Sequence, residues 1–389
     1  MVEGQVAGEL KLFNRAPEFS LSWKLVLGKS EAGEQTFAYV IDLPSTRLIA
    51  TGRVNLATGD GVWRIEEGRV DAAVWLGLLA PQLGPVLAGA TAKGIFSVSG
   101  EGTLCQGQAT GKVKIAWREG ALIHAEQGWS LDGISFQGEF AIDVANSSLV
   151  SASPFELKVG TITTTRFGAR NMFVKALLNE QRALAVSLAQ VEVAGGEVTV
   201  DPFGLPLNPL VVDANLRIKR VGLQDIVLLV PTAGLSDARG RIDGVVRVKW
   251  TEGLGFQLGV GNLAIANDEP AIVRMTPSPG LLTGRLPEHF DLLPSWLGPL
   301  ARWARQVNPA YGNMKDIELG DADLRVKTLD VQLTPEGDER GRSAVVRLVA
   351  QPAKEGSAVK EVAFDVNVAG PLNAVLKLGI DRGFTLGVD

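Results

Sequence analysis

Hydrophobic and polar residues alternate with a period of two along most of this chain. The run Phe19 to Leu27 puts Phe19, Leu21, Trp23, Leu25 and Leu27 on one strand face and Ser20, Ser22 and Lys24 on the other. Val113, Ile115 and Trp117 alternate with Lys112 and Lys114, and Val246, Val248 and Trp250 with Arg247 and Lys249. Val362, Phe364, Val366 and Val368 alternate with Glu361, Asp365 and Asn367. Shorter versions occur at 37–43, 134–136, 155–159, 198–200 and 216–218. One oily and one wet face per strand is the habit of antiparallel sheets, so the pattern predicts a mainly β protein. Within Leu324 to Leu333 the phase slips near Thr328, which predicts a β-bulge or a change of face. Pro335 to Arg342 reads as an exposed hairpin loop.

Two stretches break the alternation. Ala72 to Ala92 carries no charged residue but is interrupted by Gly77, Pro81, Gly84, Pro85 and Gly89, and it reads as a broken, buried helical segment rather than a bilayer span. Pro287 to Val307 offers Trp296, Leu300, Trp303 and Val307 at helical spacing, which predicts a helix docked on the sheet. With only Arg302 and Arg305 off that stripe, it is short of cationic charge for a membrane-surface helix. A weak internal repeat is also visible. Arg69-Val70-Asp71 and Arg217-Ile218-Lys219 each lead into an apolar stretch, glycine turns and an amphipathic strand ending in Trp117 or Trp250. Such repetition favours a β body that grows in one direction.

Composition then narrows the function. The 389 residues hold 43 acidic and 38 basic side chains, a net charge of −5, with no basic stripe, which argues against nucleic acid as a partner. One cysteine, Cys105, and two histidines, His124 and His289, exclude an intrachain disulfide and leave almost nothing for a zinc site. The surplus of Gly (45) and Pro (19) predicts many turns. There is no GxSxG nucleophile elbow and no P-loop. Gly259 to Ala264 matches GxGxxA in form, but the residues after it look like strand where a dinucleotide site needs a helix, so it reads as a turn. Neither histidine has a nucleophile or orienting carboxylate near it in sequence, and the pairs Glu66-Glu67 and Asp321 with Asp323 read as solvated turn carboxylates. The expectation is a protein that is not an enzyme and needs no cofactor or metal.

The C-terminal half carries a resemblance. Gly195 to Pro202 leads into the turn Leu205-Pro206-Leu207; then follow Val221 to Ile226, the run Asp237 to Gly244, and Glu269 to Arg274. After Gly284 come Met314 to Leu319 and Val368 to Asn373. In order and spacing this resembles the C-terminal region of the YdbH-like proteins, within the wider AsmA and TamB group of bacterial envelope proteins similar to bridge-like lipid-transfer proteins. The resemblance spans roughly 191–379; residues 1–190 share only the style of alternating strands and glycine turns.

The resemblance implies a long, twisted antiparallel β-sheet curled into an open apolar groove, with short helices near 72–92 and 287–307. It implies one continuous body, with 1–190 as the N-terminal part of the groove and 191–389 as the C-terminal part. The implied function is phospholipid transport between the inner and outer membranes, with acyl chains carried along the groove in the periplasm. Strand phase makes Phe19, Leu21, Trp23, Val113, Ile115, Val246, Val248, Val362, Phe364 and Val366 the candidate lipid-facing residues. Two partners are implied: a small outer-membrane lipoprotein adding a strand near Val362 to Val368 or Ala374 to Leu386, and an N-terminal, membrane-anchored part of the same bridge. Met1 to Val6 is neither basic nor followed by an apolar core, so no targeting segment is readable. The chain is therefore expected to be the C-terminal part of a longer protein. Alternation alone leaves other readings open: a closed β-sandwich or solenoid, an envelope adhesion module, a glycan-active enzyme with two converging carboxylates, or the dicarboxylate transport of an older family label.

Overall fold

The structure is a computed structural model that describes residues 4–369, apart from 13–18, 32, 44–45, 75, 77–88, 147, 166–167, 208, 210, 230–233, 252–254, 293–295, 297–298 and 301–304. The alternating runs all become strands. In chain order they are β1 (Gly4–Leu12), β2 (Phe19–Glu31), β3 (Glu34–Leu43), β4 (Thr46–Asn55), β5 (Gly61–Asp71), β6 (Thr91–Cys105), β7 (Gln108–His124), β8 (Trp129–Asp143), β9 (Ser148–Ser151), β10 (Phe155–Thr163), β11 (Gly168–Leu178) and β12 (Ala183–Val193). They continue as β13 (Gly196–Val200), β14 (Phe203–Pro206), β15 (Val211–Gly222), β16 (Leu235–Arg239), β17 (Arg241–Thr251), β18 (Gly255–Ile265), β19 (Ala271–Met275), β20 (His289–Asp291), β21 (Arg305–Val307), β22 (Leu324–Leu333), β23 (Arg342–Pro352) and β24 (Val362–Ala369). Twenty-two of them belong to one hydrogen-bonded antiparallel sheet, and β20 pairs with β21 apart from it.

Contacts divide the chain into two compact units. The first holds Met1–Glu192, Val200–Asp213 and Thr251–Gly253; the second holds Val193–Thr199, Ala214–Trp250 and Leu254–Asp389. In the first unit β1 to β8 form a plain meander, each strand pairing with the next. The far edge of β8 is shared by β9, opposite Phe140 to Asp143, and by β10, opposite Ser130 to Gln137, so β9 and β10 form one interrupted row. β11 follows on β10. The hairpin from β6 to β7 turns on Gln106 and Gly107, with φ of 51° and 79°; two left-handed residues in a row make the turn whose twist matches the flanking strands.

In the second unit β16 pairs with β19, and β22 takes β18 opposite its last residues and β19 opposite its first. β23 and β24 extend the sheet from β22. Among the described residues two helices of more than one turn belong to this unit. Leu223–Leu229 follows β15 directly, and Pro309–Glu318 is capped by the Asn308 side chain, which accepts from the Ala310 N–H at 3.0 Å. The β22–β23 register shifts between Val326 and Thr328, the bulge expected there, and 334–341 is the connecting loop.

Over 287–307 the described residues are helical at Trp296 and at 299–300, within the stretch where a short helix is expected, and the ends pair as β20 and β21. Two readings change. Gly259 to Ala264 lies inside β18 rather than in a turn. His289 is on β20, not at a helix start. The segment 72–92 begins as the expected helix at 72–74, which packs Ala72 against Ala92, and 77–88 falls outside the described residues.

Candidate functional site

In the first unit the registers stack apolar positions into rows that cross many strands. One row runs Leu25, Tyr39, Ala50, Ile65, Gly100, Val113 and Phe140. The next runs Phe37, Gly52, Trp63, Gly102, Gly111 and Ile142. A third contains Val98, Ile115 and Gly138. The opposite face carries the charges, paired loosely across strands as Arg64–Glu101 at 3.4 Å and Lys112–Glu139 at 3.9 Å. Exposed pairs of this kind contribute little stability and mark the wet side.

Glycines in these rows have a purpose. The Trp63 indole crosses β6 and donates its N–H to the Thr110 carbonyl on β7 at 3.1 Å. A Cβ at Gly102 or Gly111 would sit 2.8 or 2.7 Å from that ring. A Cβ at Gly138 would come 2.8 Å from the Phe140 ring, and Gly52 and Gly120 lie in the same way against Phe37 and Trp117. Aromatic rings therefore lie down over glycines instead of standing up from the sheet, those of Trp63 and Phe37 over a neighbouring strand and those of Phe140 and Trp117 over a glycine of their own strand. Trp63, Trp117 and Phe140 are buried by this arrangement, while Phe96, Val98, Val113 and Ile115 along the same face stay half-buried.

A line of irregularities bends the strands. Register shifts fall at Lys93/Ile95 and at Trp117/Gly120/Ala121, and Gly94, Gly120, Gly133 and Gly160 lie at the shifts or next to them on β6, β7, β8 and β10. Gly94 and Gly133 hold φ of 102° and 66°, which a side chain would resist. Aligned bulges and glycines make a sheet curl at one line. Beyond it Trp117, Ile134 and Val159 pack with Ala72 and Ala92 into a buried corner, where Phe96 stacks on Trp117 at 4.7 Å.

The second unit treats its apolar face differently. Val221, Leu223, Val227, Ile242, Val273, Ile317, Leu324 and Val326 form a core that includes residues of both helices. A second cluster joins Val246, Val248, Leu333 and Ala344. The motif residues Arg241 and Asp243 are structural. Arg241 donates to the carbonyls of Gly195 (2.6 Å) and Arg220 (2.8 Å), and Asp243 accepts from the Arg220 N–H at 2.7 Å. Arg220 also pairs with Asp268 and Glu269. Glu318 is buried and clasps the loop before β20, accepting from Thr283 Oγ1 at 2.6 Å and from the N–H groups of Leu282 (2.9 Å) and Thr283 (3.0 Å). Those hydrogen bonds, the Thr283 hydroxyl foremost, hold its pKa down at about 2 against the desolvation that opposes them.

The predicted positions fall as follows. Val113 and Ile115 are half-buried on the apolar face of the first unit. Val246 and Val248 are buried, at 5% and 6% exposure. On β24, Val362 stands opposite Ala350 and is buried, Phe364 stands opposite Leu348 and is half-buried, and Val366 stands opposite Val346 and is 43% exposed. Phe19, Leu21 and Trp23 stand opposite Leu12, Leu10 and Gly8 of β1, and their side chains lie outside the described residues, as does all of 374–386. Sequence reasoning missed Trp63 and the glycines beneath it, because only the register shows which glycine a ring covers. His124 is buried at the end of β7, accepts from the Gln127 N–H at 3.2 Å and packs on Trp129; Cys105 is exposed. Among the described residues no group of three or more His, Cys, Asp or Glu is placed to hold a metal ion, and no helix is long and apolar enough to cross a membrane.

The class is that of a many-stranded, mainly β protein, whose first unit sets apolar rows on one face of an antiparallel sheet and charged pairs on the other. A family model described as "YdbH-like: Intermembrane phospholipid transport protein YdbH" matches residues 2–283, and the chain belongs to the YdbH-like family. The match takes in the N-terminal half, which the resemblance over 191–379 leaves out, and ends before 284. No curated protein and no solved structure matches the chain.

Proposed function

We propose that this chain carries phospholipid acyl chains along its apolar β face between the inner and outer membranes of a bacterial envelope, in the periplasm. The observation that carries the reading is the floor in the first unit: rings laid over glycines, with Val98, Val113 and Ile115 half-buried in rows that cross successive strands. Each CH₂ of a tail that leaves water for such a surface gains about 0.8 kcal/mol, and a phospholipid sliding along it needs neither base nor metal. Val113 and Ile115 are the best-supported lipid contacts. Val246, Val248 and Val362 serve as packed floor, and Phe364 and Val366 as its continuation along β24, the last described strand. Phe19, Leu21 and Trp23 extend the face on the side of β1. The 1–190 and 191–389 parts act as successive stretches of one groove. Strand addition by a small outer-membrane lipoprotein would fall at β24 or beyond it, and a membrane-anchored N-terminal part of the same bridge would continue from the β1 side.

A sealed β body is the rival reading, and the burial of Val246 and Val248 favours it for the second unit. Native mass spectrometry of the purified chain with lipid extraction decides. Co-purified phospholipid that falls about tenfold in Ile115→Asp, with the circular dichroism of the parent, supports transport. A cooperatively folded chain free of lipid, or one whose lipid load ignores Ile115→Asp, refutes it.

A further inference from the structure

Between β19 and β22 the chain leaves the sheet, and what it builds there is firmly based. Glu318 clasps Leu282 and Thr283. Asn308, 4% exposed, donates from Nδ2 to the Pro287 carbonyl at 2.9 Å, and its own N–H donates to the Glu288 carbonyl at 2.9 Å. On that base β20 and β21 pair His289 with Val307, Phe290 with Gln306 and Asp291 with Arg305. On this pair and next to it in the chain, large apolar side chains are exposed to water. Phe290 is 46% exposed, Leu292 61%, Trp296 79%, Leu300 61% and Val307 64%. By contrast Trp63 and Trp117, in the first unit, are each 8% exposed.

We infer that the β20–β21 pair and the described residues beside it are a membrane-contact element, which seats Phe290, Leu292, Trp296 and Leu300 in the interfacial layer of a phospholipid bilayer. The inference rests on the lipid-transport reading, because a carrier of phospholipid has to collect or deliver it at a bilayer surface. It goes beyond that reading in naming the part that touches, which lies past the end of the family match at 283. Concentrated exposed apolar residues on a soluble protein mark a contact surface. Their kind identifies the contact. Indole and phenyl rings with leucine, exposed on the β20–β21 pair and beside it, match the headgroup layer, where one end of a ring is wet and the other dry. The charges agree: Arg305 Nε binds Asp291 at 2.8 Å, so this carboxylate meets the surface already neutralised. With little net charge left, binding runs on apolar insertion and not on anionic lipid, and salt should hardly change it.

Flotation with vesicles of phosphatidylethanolamine and a minority of phosphatidylglycerol tests this. The chain is expected to float at low and high salt alike, and the double variant Trp296→Ser, Leu300→Ser to lose about tenfold in bound fraction while keeping its co-purified lipid. In a Cys105→Ser background, a polarity-sensitive dye on Trp296→Cys should shift to the blue on adding vesicles, and the same dye on Leu56→Cys should not. Unchanged flotation of the double variant, loss of wild-type flotation in salt, a silent dye at 296, or a dimer dissolved by the double variant overturns the inference. The two readings fail separately. A chain that carries lipid but stays off vesicles keeps the cargo and loses the contact element; one that floats but never carries lipid does the reverse.

Discussion

The two units use the same alternation of oily and wet residues to opposite ends. In the first, the register sets glycine against aromatic ring, as with Gly102 and Gly111 under Trp63, and the face stays low and half-exposed around Val98, Val113 and Ile115. In the second, the register sets aliphatic against aliphatic, as with Leu348 opposite Leu329 and Val346 opposite Val331 and Val366, and the helices Leu223–Leu229 and Pro309–Glu318 contribute Leu223, Val227 and Ile317 to the core over it. Ala350 and Leu324 reach 0% exposure there. Alternation decides which face is apolar. What lies opposite, and whether an insertion folds back, decides whether that face is closed.

The strongest way to break this comparison is to remove matched bulk from both faces. Leu324→Ala, at the centre of the helix-covered core, is expected to cost about 2–5 kcal/mol, because nothing can collapse into the space. Val98→Ala, on the half-exposed face, is expected to cost about 1 kcal/mol or less, since little water-excluded volume is lost. Urea unfolding curves followed separately in each unit measure both. Equal costs would mean that the first face is as closed as the second.

Next in size is the ring-over-glycine floor. Valine is the better strand former, so at an ordinary exposed strand position Gly→Val should stabilise. At Gly111 the new side chain would run into the Trp63 indole and the Gly102 backbone, and Gly111→Val is expected to destabilise by about 1–3 kcal/mol instead. The near-ultraviolet circular dichroism of Trp63 should change with it. A stabilised Gly111→Val would remove the floor from the account.

Much of the fold is legible in the alternation itself. Strand phase places Val113 with Ile115, and Val362, Phe364 and Val366 together, on single faces, and the slip at Thr328 is a true bulge. The stretch 287–307 is only partly legible by spacing, because Val307, in step with Trp296 and Leu300, lies on β21. The better signal stands just after it. Asn308 followed by Pro309 is a helix start by capping chemistry, and the helix does begin there. Trp63 is hidden for another reason: its partners Gly102 and Thr110 are distant in sequence, and only strand pairing brings them under the ring.

Within the second unit the cover should thin along β24, and the cost of a buried charge should fall with it. Val362→Asp buries a carboxylate beside Ala350 and is expected to cost several kcal/mol, or roughly 3 in the usual range for an unpaired buried charge. Phe364→Asp should cost less, and Val366→Asp stay within about 0.5 kcal/mol, since Val366 already meets solvent. Chemical denaturation of the three variants orders them. A large cost at Val366 would mean that something covers the end of that row.

The smallest effect is one of pH, and it separates the units by where acid first acts. Glu318 ionises at about 2 in the folded protein because Thr283 and the backbone of the preceding loop donate to its carboxylate, against a usual value of 4.5. A lowered carboxylate pKa means that the unfolded chain binds the proton more readily, so this clasp contributes fully above about pH 4.5 and fades as pH falls toward 2. Asp338, held to about 2 by Arg342, behaves the same way in the β22–β23 loop. Both belong to the second unit. Hydrogen exchange at falling pH should therefore open the loop before β20 while β6 to β8 stay protected. Glu318→Gln keeps one acceptor but no charge to titrate, so the loop in this variant should exchange faster at neutral pH and show a flatter response to acid. If acid instead opened the first unit at the same pH, the closed core would owe nothing to Glu318, and the difference between the two faces would rest on packing alone.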